Sequence, residues 1–387
     1  MDPFHPARAG HIPDSPTTPS SAPIYQTTAF DVPDLDVLED IATGRQQGHV
    51  YTRDSNPNHT ALMETIAAME NAEAGGVFAS GMSAIGSVFL SLTSTGDHVI
   101  LSRSLYGRTL QLADRMRRNF GVSVSSVDPT CPDEFRAAVT EKTRFAFVES
   151  IANPLLEICD LQAISAALGE VPLIVDSTFT TPELIRPCDL GAGVVIHSAS
   201  KYLNGHGDVM LGVAAGRREI IRRMNSAASL FGQNANPFET WLCQRGLRTL
   251  ALRMKQVCAT TIQLIPVLSS HPAVARIWHP FCPDHPSHEI AQRLYPNGTG
   301  GIISIELRGT DREVVNRFLK ASASIPFSPT LADARTTVSW PAGTSHRYLT
   351  SQARAALGIP DNLIRLSVGL EPPEMLAAEL TATLNAI

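Results

Sequence analysis

The chain has 387 residues, 43% hydrophobic and 18% charged, with a formal net charge of -6. That composition belongs to a well-cored globular protein of two or three domains and excludes a disordered chain. The acidic balance argues against binding a phosphate backbone, so no nucleic-acid partner is expected. No apolar run reaches the roughly 20 residues of a membrane span, so no membrane partner is expected either.

The six cysteines (Cys131, Cys159, Cys188, Cys243, Cys258, Cys282) are scattered without a CxxC pair. In a chain this long they read as reduced thiols. The opening stretch "MDPFHPARAGHIPDSPTTPSSAP" is rich in Pro and Ser and lacks the apolar core of a signal peptide, so a cytoplasmic protein is the expectation.

Residues 1–55 read as an extended arm with one short helix in "PDLDVLEDIATG"; an arm with so little core of its own is expected to wrap a partner subunit. A regular pattern follows over residues 56–244, the expected large domain. "TALMETIAAMENA" places Leu62, Ile66 and Met69 at helical spacing. "GGVFAS", "DHVILS", "RFAFVES", "PLIVDS" and "GVVIHS" are short apolar runs bounded by turn residues, and helical stretches such as "SAIGSVFLSL" and "LQAISAALGE" lie between them. Strands alternating with helices predict an α/β fold with a doubly wound, mostly parallel sheet. From residue 245 to 387 a smaller α+β domain is expected. "GLRTLALRMKQVCATTIQLIPVL" reads as one long helix, and "GGIISIEL" and "LIRLSVGLE" read as strands.

All five apolar runs end in polar residues: Ser80, Ser102, Glu149 with Ser150, Asp176 with Ser177, and Ser198. Open parallel sheets bind ligands at the carboxyl ends of their strands. Two common nucleotide signatures, GxGxxG after a strand and GxxxxGK[ST], are missing. "FASGMSAIG" suits a different anion, because the N–H groups of Gly81, Met82 and Ser83 at a helix start point outward. Asp176 in "VDST" ends a strongly apolar strand. It reads either as a salt-bridge or capping residue, or as a fixed negative charge that keeps a cofactor ring nitrogen protonated. Lys201 in "HSASKYLNGHGD" stands among small hydroxyl residues and glycines, where a lysine can form a Schiff base with an aldehyde while Ser198 and Ser200 bind phosphate. The three features together point to pyridoxal 5'-phosphate.

Motifs in order along the chain carry a resemblance: "YTRDSNPN", "FASGMSAI", "LYGRT", "FVESIANP", "IVDSTFTTP", "HSASKYLNGHGDV", "GLRTLALRM", "HPFCPDHPSHEIAQR" and "IRLSVGLE". From about residue 22 onward the chain resembles the Cys/Met-metabolism family of pyridoxal-phosphate enzymes, which includes cystathionine γ-synthase, cystathionine γ-lyase and methionine γ-lyase. The resemblance implies the fold type I transferase architecture, a large cofactor domain with an extended N-terminal arm and a smaller C-terminal domain. It implies that Lys201 is the Schiff-base lysine, that Asp176 pairs with the pyridinium nitrogen, and that Gly81, Met82, Ser198 and Ser200 bind the phosphate. Tyr51 and Arg53 would reach the phosphate of the neighbouring subunit. That makes the protein a dimer with shared active sites, paired into a homotetramer. Tyr106 would stack on the ring and assist proton transfer, Asn153 would sit near the phenolic oxygen, and Glu149 and Thr178 would support. Arg365, with Asn153, Arg108 and Thr336, would contact the amino-acid substrate, Arg365 gripping its α-carboxylate.

The implied reaction is γ-elimination or γ-replacement on a γ-substituted, homoserine-derived or sulfur-containing amino acid, through a β,γ-unsaturated intermediate. The alternatives are β-elimination of the cystathionine β-lyase type and a specialised enzyme for a non-sulfur amino acid. An aminotransferase and a non-catalytic binding protein fit less well, given the Tyr51–Arg53 motif and the set of Tyr106, Asp176, Lys201 and Arg365. The chain departs from the family at Arg108, where Gly or Cys is usual. This arginine either lowers the pKa of Tyr106, contacts a substrate tail, or faces solvent. Arg335 stands where cystathionine-handling members often carry Glu. His279, Cys282, His285 and His288 have a spacing that could suit a metal, but three prolines stiffen the segment and no metal is expected.

Overall fold

The structure is a computed structural model that describes residues 17–309, 312–322 and 324–387. Its larger sheet has seven strands: β1 (Ala74–Phe78), β2 (His98–Ser102), β3 (Ser123–Val127), β4 (Thr143–Glu149), β5 (Leu173–Asp176), β6 (Val194–Ser198) and β7 (Gly212–Gly216). Their order is β1-β7-β6-β5-β4-β2-β3. The run from β6 through β3 is parallel, and β7 is antiparallel to both its neighbours, β6 and β1. The carboxyl ends of β1, β6, β5 and β4 therefore meet at one edge, which brings Ser80, Ser198, Asp176 and Glu149 together.

The period-two alternation of strands explains the burial. Val175 and Val195 enter one core, while Ile174, Val194 and Ile196 enter the core on the opposite face. Each such side chain removed from water contributes roughly 1.5–3 kcal/mol. The sequence reading missed β3 and β7. The first is the half-exposed edge sequence "SVSSV", and the second is "GVAAG", buried but without a bulky residue to mark it.

The second sheet is antiparallel: β8 (Val274–Trp278), β9 (Ile302–Leu307), β10 (Thr337–Ser339) and β11 (Leu363–Ser367), in the order β10-β11-β9-β8. Its core has Ile303, Ile305, Ile364 and Leu366 at the centre, with Leu264 and Leu380 packed from helices. The boundary expected at residue 245 falls inside the helix Pro237–Leu247.

The expected single helix from residue 246 is two helices, Pro237–Leu247 and Leu250–Ser269. The break has a cause. The buried Arg253 guanidinium donates to the Gly246 carbonyl at 2.9 Å, and its Nε donates to the Thr249 hydroxyl at 3.1 Å. Two further bonds go to the carbonyls of Tyr202 (2.5 Å) and Leu203 (3.2 Å). The Gly246 carbonyl at the break is thus satisfied by a side chain that also holds the segment after Lys201.

Residues 17–55 are mostly exposed. They are tethered by Tyr25, whose amide donates to Asn58 Oδ1 at 2.8 Å, and by Trp241 Nε1, which donates to the Ala22 carbonyl at 2.7 Å. The expected short helix is Leu35–Ala42, capped by Asp34, and none of its residues is buried. Residues 1–16 of the expected arm lie outside the described residues.

Candidate active site

A cavity of about 460 Å³ opens at the shared strand edge. Its lining includes Gly81, Met82, Tyr106, Arg108, Asn153 and Asp176, together with Thr178, Ser198, Ser200, Lys201 and Arg365. Tyr51, Arg53, Thr336 and Arg335 are not among the lining residues.

At one end of the cavity is the N-terminus of the helix Gly81–Leu92. Its cap, Ser80, accepts from the Ser83 amide at 3.1 Å. That bond corrects one expectation, since the Ser83 N–H is already taken by Ser80. Among the described residues the Gly81 and Met82 amides have no partner, so these two face the cavity as donors. Gly81 has no substitute here, because a Cβ on it would lie 2.9 Å from Ser198 Cβ. Ser200 accepts from the Leu211 amide at 2.9 Å, which holds its hydroxyl in place at the cavity wall.

Asp176 lines the same cavity. Its Oδ1 accepts from the Thr178 amide (3.0 Å) and hydroxyl (2.5 Å), and among the described residues nothing donates to Oδ2. Thr178 Oγ1 in turn accepts from the Ser198 amide at 2.8 Å, tying the ends of β5 and β6 together. Burial raises the Asp176 pKa, against the Thr178 hydrogen bonds. Glu149 is the neighbouring carboxyl. Burial first, and then the Asp176 charge, push its pKa up to about 8, although it accepts from the Tyr106 amide at 2.6 Å and the Asn153 amide at 3.4 Å. The His197 charge offsets only part of this, since burial still holds Asp176 above its ordinary range, and the free Oδ2 of Asp176 suits a positively charged or N–H partner.

Lys201 Nζ donates to Thr330 Oγ1 at 3.0 Å. Burial and then the Arg365 charge lower its pKa to about 8, so roughly a tenth of it is the neutral, nucleophilic amine at pH 7, far more than of an ordinary lysine. Arg365 is 4% exposed. It donates to Asn153 Oδ1 at 2.8 Å and to the Thr330 carbonyl at 3.1 Å, while its Nε is buried without a partner. Burial brings its pKa down to about 10. A buried guanidinium whose partners are all neutral is short of one anion.

Thr330 and Arg253 escaped the sequence reading. "SPTLAD" carries no signal that Thr330 would meet Lys201 from 129 positions away. Nothing in the helix pattern separates Arg253 from a solvent-facing arginine. Thr336 corrects the reading in the other direction. Its amide donates to Glu371 Oε1 at 2.6 Å, and its hydroxyl donates to Glu371 Oε2 at 2.8 Å and accepts from the Gly369 amide at 2.9 Å. It is buried and fully engaged, so it has nothing left to offer a substrate. Arg335 is not among the residues that line the cavity and pairs with Asp333 at 3.5 Å. In the histidine-rich loop, His279 Nε2 meets Thr299 Oγ1 at 3.1 Å, His285 Nε2 meets the Leu155 carbonyl at 2.8 Å, and His288 Nδ1 meets the Pro280 carbonyl at 3.0 Å. Those rings are committed to folding the loop.

An anion seat, a free carboxylate oxygen and a depressed lysine lining one cavity fit pyridoxal 5'-phosphate. The sequence pattern of the Cys/Met metabolism PLP-dependent enzymes matches residues 6–385. This chain belongs to that family. Pyridoxal 5'-phosphate is therefore its cofactor, and its chemistry is elimination or replacement on an amino acid. It is 40% identical to an O-succinylhomoserine sulfhydrylase of Pseudomonas aeruginosa, over 89% of this chain and 85% of that one. It is 36% identical to an L-methionine gamma-lyase of Pseudomonas deceptionensis, over 94% and 92%. Among solved structures, a putative O-acetylhomoserine (thiol)-lyase of Campylobacter jejuni, holding N'-pyridoxyl-lysine-5'-monophosphate, superposes with a TM-score of 0.89. The two share 27% identity over 94% of this chain and 95% of that one. No helix among the described residues is long and apolar enough to cross a membrane.

Proposed function

We propose that this family member acts on an L-amino acid carrying a leaving group at Cγ, with Arg365 holding the α-carboxylate and Lys201 moving the protons. The observation that carries this reading is the buried Arg365, short of an anion, lining the same cavity as a lysine whose pKa has fallen to about 8. The cofactor, when bound, supplies an electron sink for charge developing at Cα. Asp176 Oδ2 would pair with its ring nitrogen, and the Gly81 and Met82 amides with Ser198 and Ser200 would hold its phosphate. Arg365 fixes the carboxylate in two-point geometry, which orients the Cα–H bond toward Lys201. Lys201, as the neutral amine, takes the Cα proton and returns a proton further along the chain. Tyr106, held at its backbone by Glu149, lines the cavity and would stand beside the departing group.

Tyr51 and Arg53 support a second part of the reading. The Arg53 guanidinium lies 5.1 Å from the Tyr51 ring centroid, and Arg53 lines a separate surface hollow with Asp54 and Ser229. Both are exposed and away from their own chain's cavity, as residues that complete a neighbour's site must be. Their position supports a homodimer with shared sites, or a pair of such dimers. All six cysteines are free, which supports a reducing, cytoplasmic setting.

The test is a panel of methionine, cystathionine, homocysteine and O-acyl-homoserines, with products read by mass. Release of 2-oxobutyrate, or a γ-exchanged product, is the expected result, and pyruvate alone would replace this reading with β-elimination. Borohydride treatment of the holoenzyme should add the cofactor's mass to the Lys201 peptide. Lys201→Ala should lose that label and roughly 10³–10⁴-fold in kcat.

A further inference from the structure

The cavity rim carries charge that the chemistry just described leaves unused. Arg108 sits in the first turn of the helix Gly107–Phe120, and Arg347 and Tyr348 come from the loop after β10. All three line the same cavity as Lys201 and Arg365. The Arg108 guanidinium lies 4.3 Å from the Tyr348 ring centroid and that of Arg347 lies 4.7 Å from it. Both donate to the one Tyr348 hydroxyl, and Arg108 also donates to Gln111 Oε1 at 2.9 Å. Among the described residues, neither arginine has a carboxylate partner. Donation by Arg347 first, then the Arg108 and Arg347 charges, holds the exposed Tyr348 phenol below its ordinary range, the mark of a positive local field.

Two like charges gathered on a neutral phenol repel each other, and an exposed tyrosine gains little from the pair. The arrangement becomes favourable once an anion arrives. The guanidinium planes can stay on the ring while their outer N–H groups turn to a carboxylate or phosphate. Arg365 has already claimed the α-carboxylate, so the anion served at the rim belongs to the other end of the substrate.

We propose that Arg108 and Arg347, spaced by Tyr348, form a clamp for an anionic γ-leaving group, an ester tail ending in carboxylate or phosphate. This rests on the γ-reading above. It assigns Arg108 a specificity role in a position where the sequence left three possibilities open.

The experiment compares O-succinyl-, O-phospho- and O-acetyl-L-homoserine as substrates of the holoenzyme. At least one anionic ester should exceed the acetyl ester in kcat/KM by roughly tenfold or more, mostly through KM. Which of the two wins tells carboxylate from phosphate. Arg108→Gly with Arg347→Gln should shrink that ratio roughly 10- to 100-fold, the scale of one or two charge-assisted hydrogen bonds. Free succinate or inorganic phosphate should compete with substrate in the parent and much more weakly in the double variant. The cofactor absorbance band reports that the variant is folded and loaded. If the acetyl ester is the best substrate, or the double variant slows all three esters alike, the clamp is wrong and the γ-reading stands. If all three esters are inert while a β-substituted amino acid yields pyruvate, the γ-reading fails and the clamp falls with it.

Discussion

The floor of the cavity and its rim are built in opposite ways. The floor is made of strand ends. Asp176, Ser198 and Glu149 are placed by the register of a parallel sheet; Thr178 links the first two, and Glu149 holds the Tyr106 amide. Arg365, 4% exposed, comes from β11 of the second sheet and is held by Asn153 and the Thr330 carbonyl. The rim is made of a helix start and a loop. Tyr348 is 47% exposed, and Arg108 and Arg347 are exposed beside it. A charge on the floor works in a dry medium, where each interaction is strong and each mispairing costly. A charge at the rim is screened and adjustable, which suits selection among substrates better than bond making.

If the floor is as dry as its geometry indicates, Lys201 must destabilise the cofactor-free fold. Its folded pKa of about 8 lies below the 10.5 of an ordinary lysine. Between those values the unfolded chain binds the extra proton, so stability rises with pH across that window and is lowest below about 8. Lys201→Met should therefore make the cofactor-free enzyme more stable at pH 7, by up to about 3 kcal/mol. The gap should close as pH approaches 10.5. Urea unfolding of both proteins from pH 7 to 10.5 checks this, and a gap independent of pH would show that Lys201 is solvated like a rim residue.

Arg365→Met comes next. Removing a charge-assisted pair from the floor should lower kcat/KM for every amino-acid substrate by roughly 30- to 100-fold. The loss should not depend on the tail, whereas the rim variants discriminate by tail. Thr178→Val should cost less. It removes one donor to Asp176 and strands the Ser198 amide. Cofactor retention on dialysis should weaken about tenfold, with the amino-acid KM changed little.

The contrast also explains what the sequence could reveal. Floor residues sit at the ends of apolar runs, and the strand pattern itself marks where such runs stop, as at "IVDS" and "VVIHS". The free Gly81 and Met82 amides were legible from one glycine after a strand, whereas the capping of the Ser83 amide by Ser80 depends on a side-chain rotamer. Contacts that join distant segments had no such marker. Thr330 reaches Lys201 across 129 positions, and Tyr348 reaches Arg108 across 240. The helix break at Arg253 was hidden for the same reason, because the carbonyls of Tyr202 and Leu203 that draw the guanidinium lie 51 and 50 positions earlier. β7 was invisible because small residues let neighbouring segments approach closely and leave no hydrophobic signature.

Thr336 is the sharpest case of a residue near the site in sequence terms and outside it in space. Its hydroxyl bridges Glu371 and the Gly369 amide, and the residue is 1% exposed. Thr336→Val keeps the shape but removes both bonds. The Gly369 amide would lose its acceptor, and Glu371 would keep only the Thr336 amide as a donor. Such a loss costs about 1–2 kcal/mol, which thermal or urea unfolding resolves. Because Thr336 does not line the cavity, KM for the amino acid should stay within about twofold, well under the tenfold that 1.4 kcal/mol of lost substrate contact would give. A variant as stable as the parent but with a KM raised tenfold would return Thr336 to the substrate and place the cavity wall closer to Glu371 than the hydrogen bonds allow.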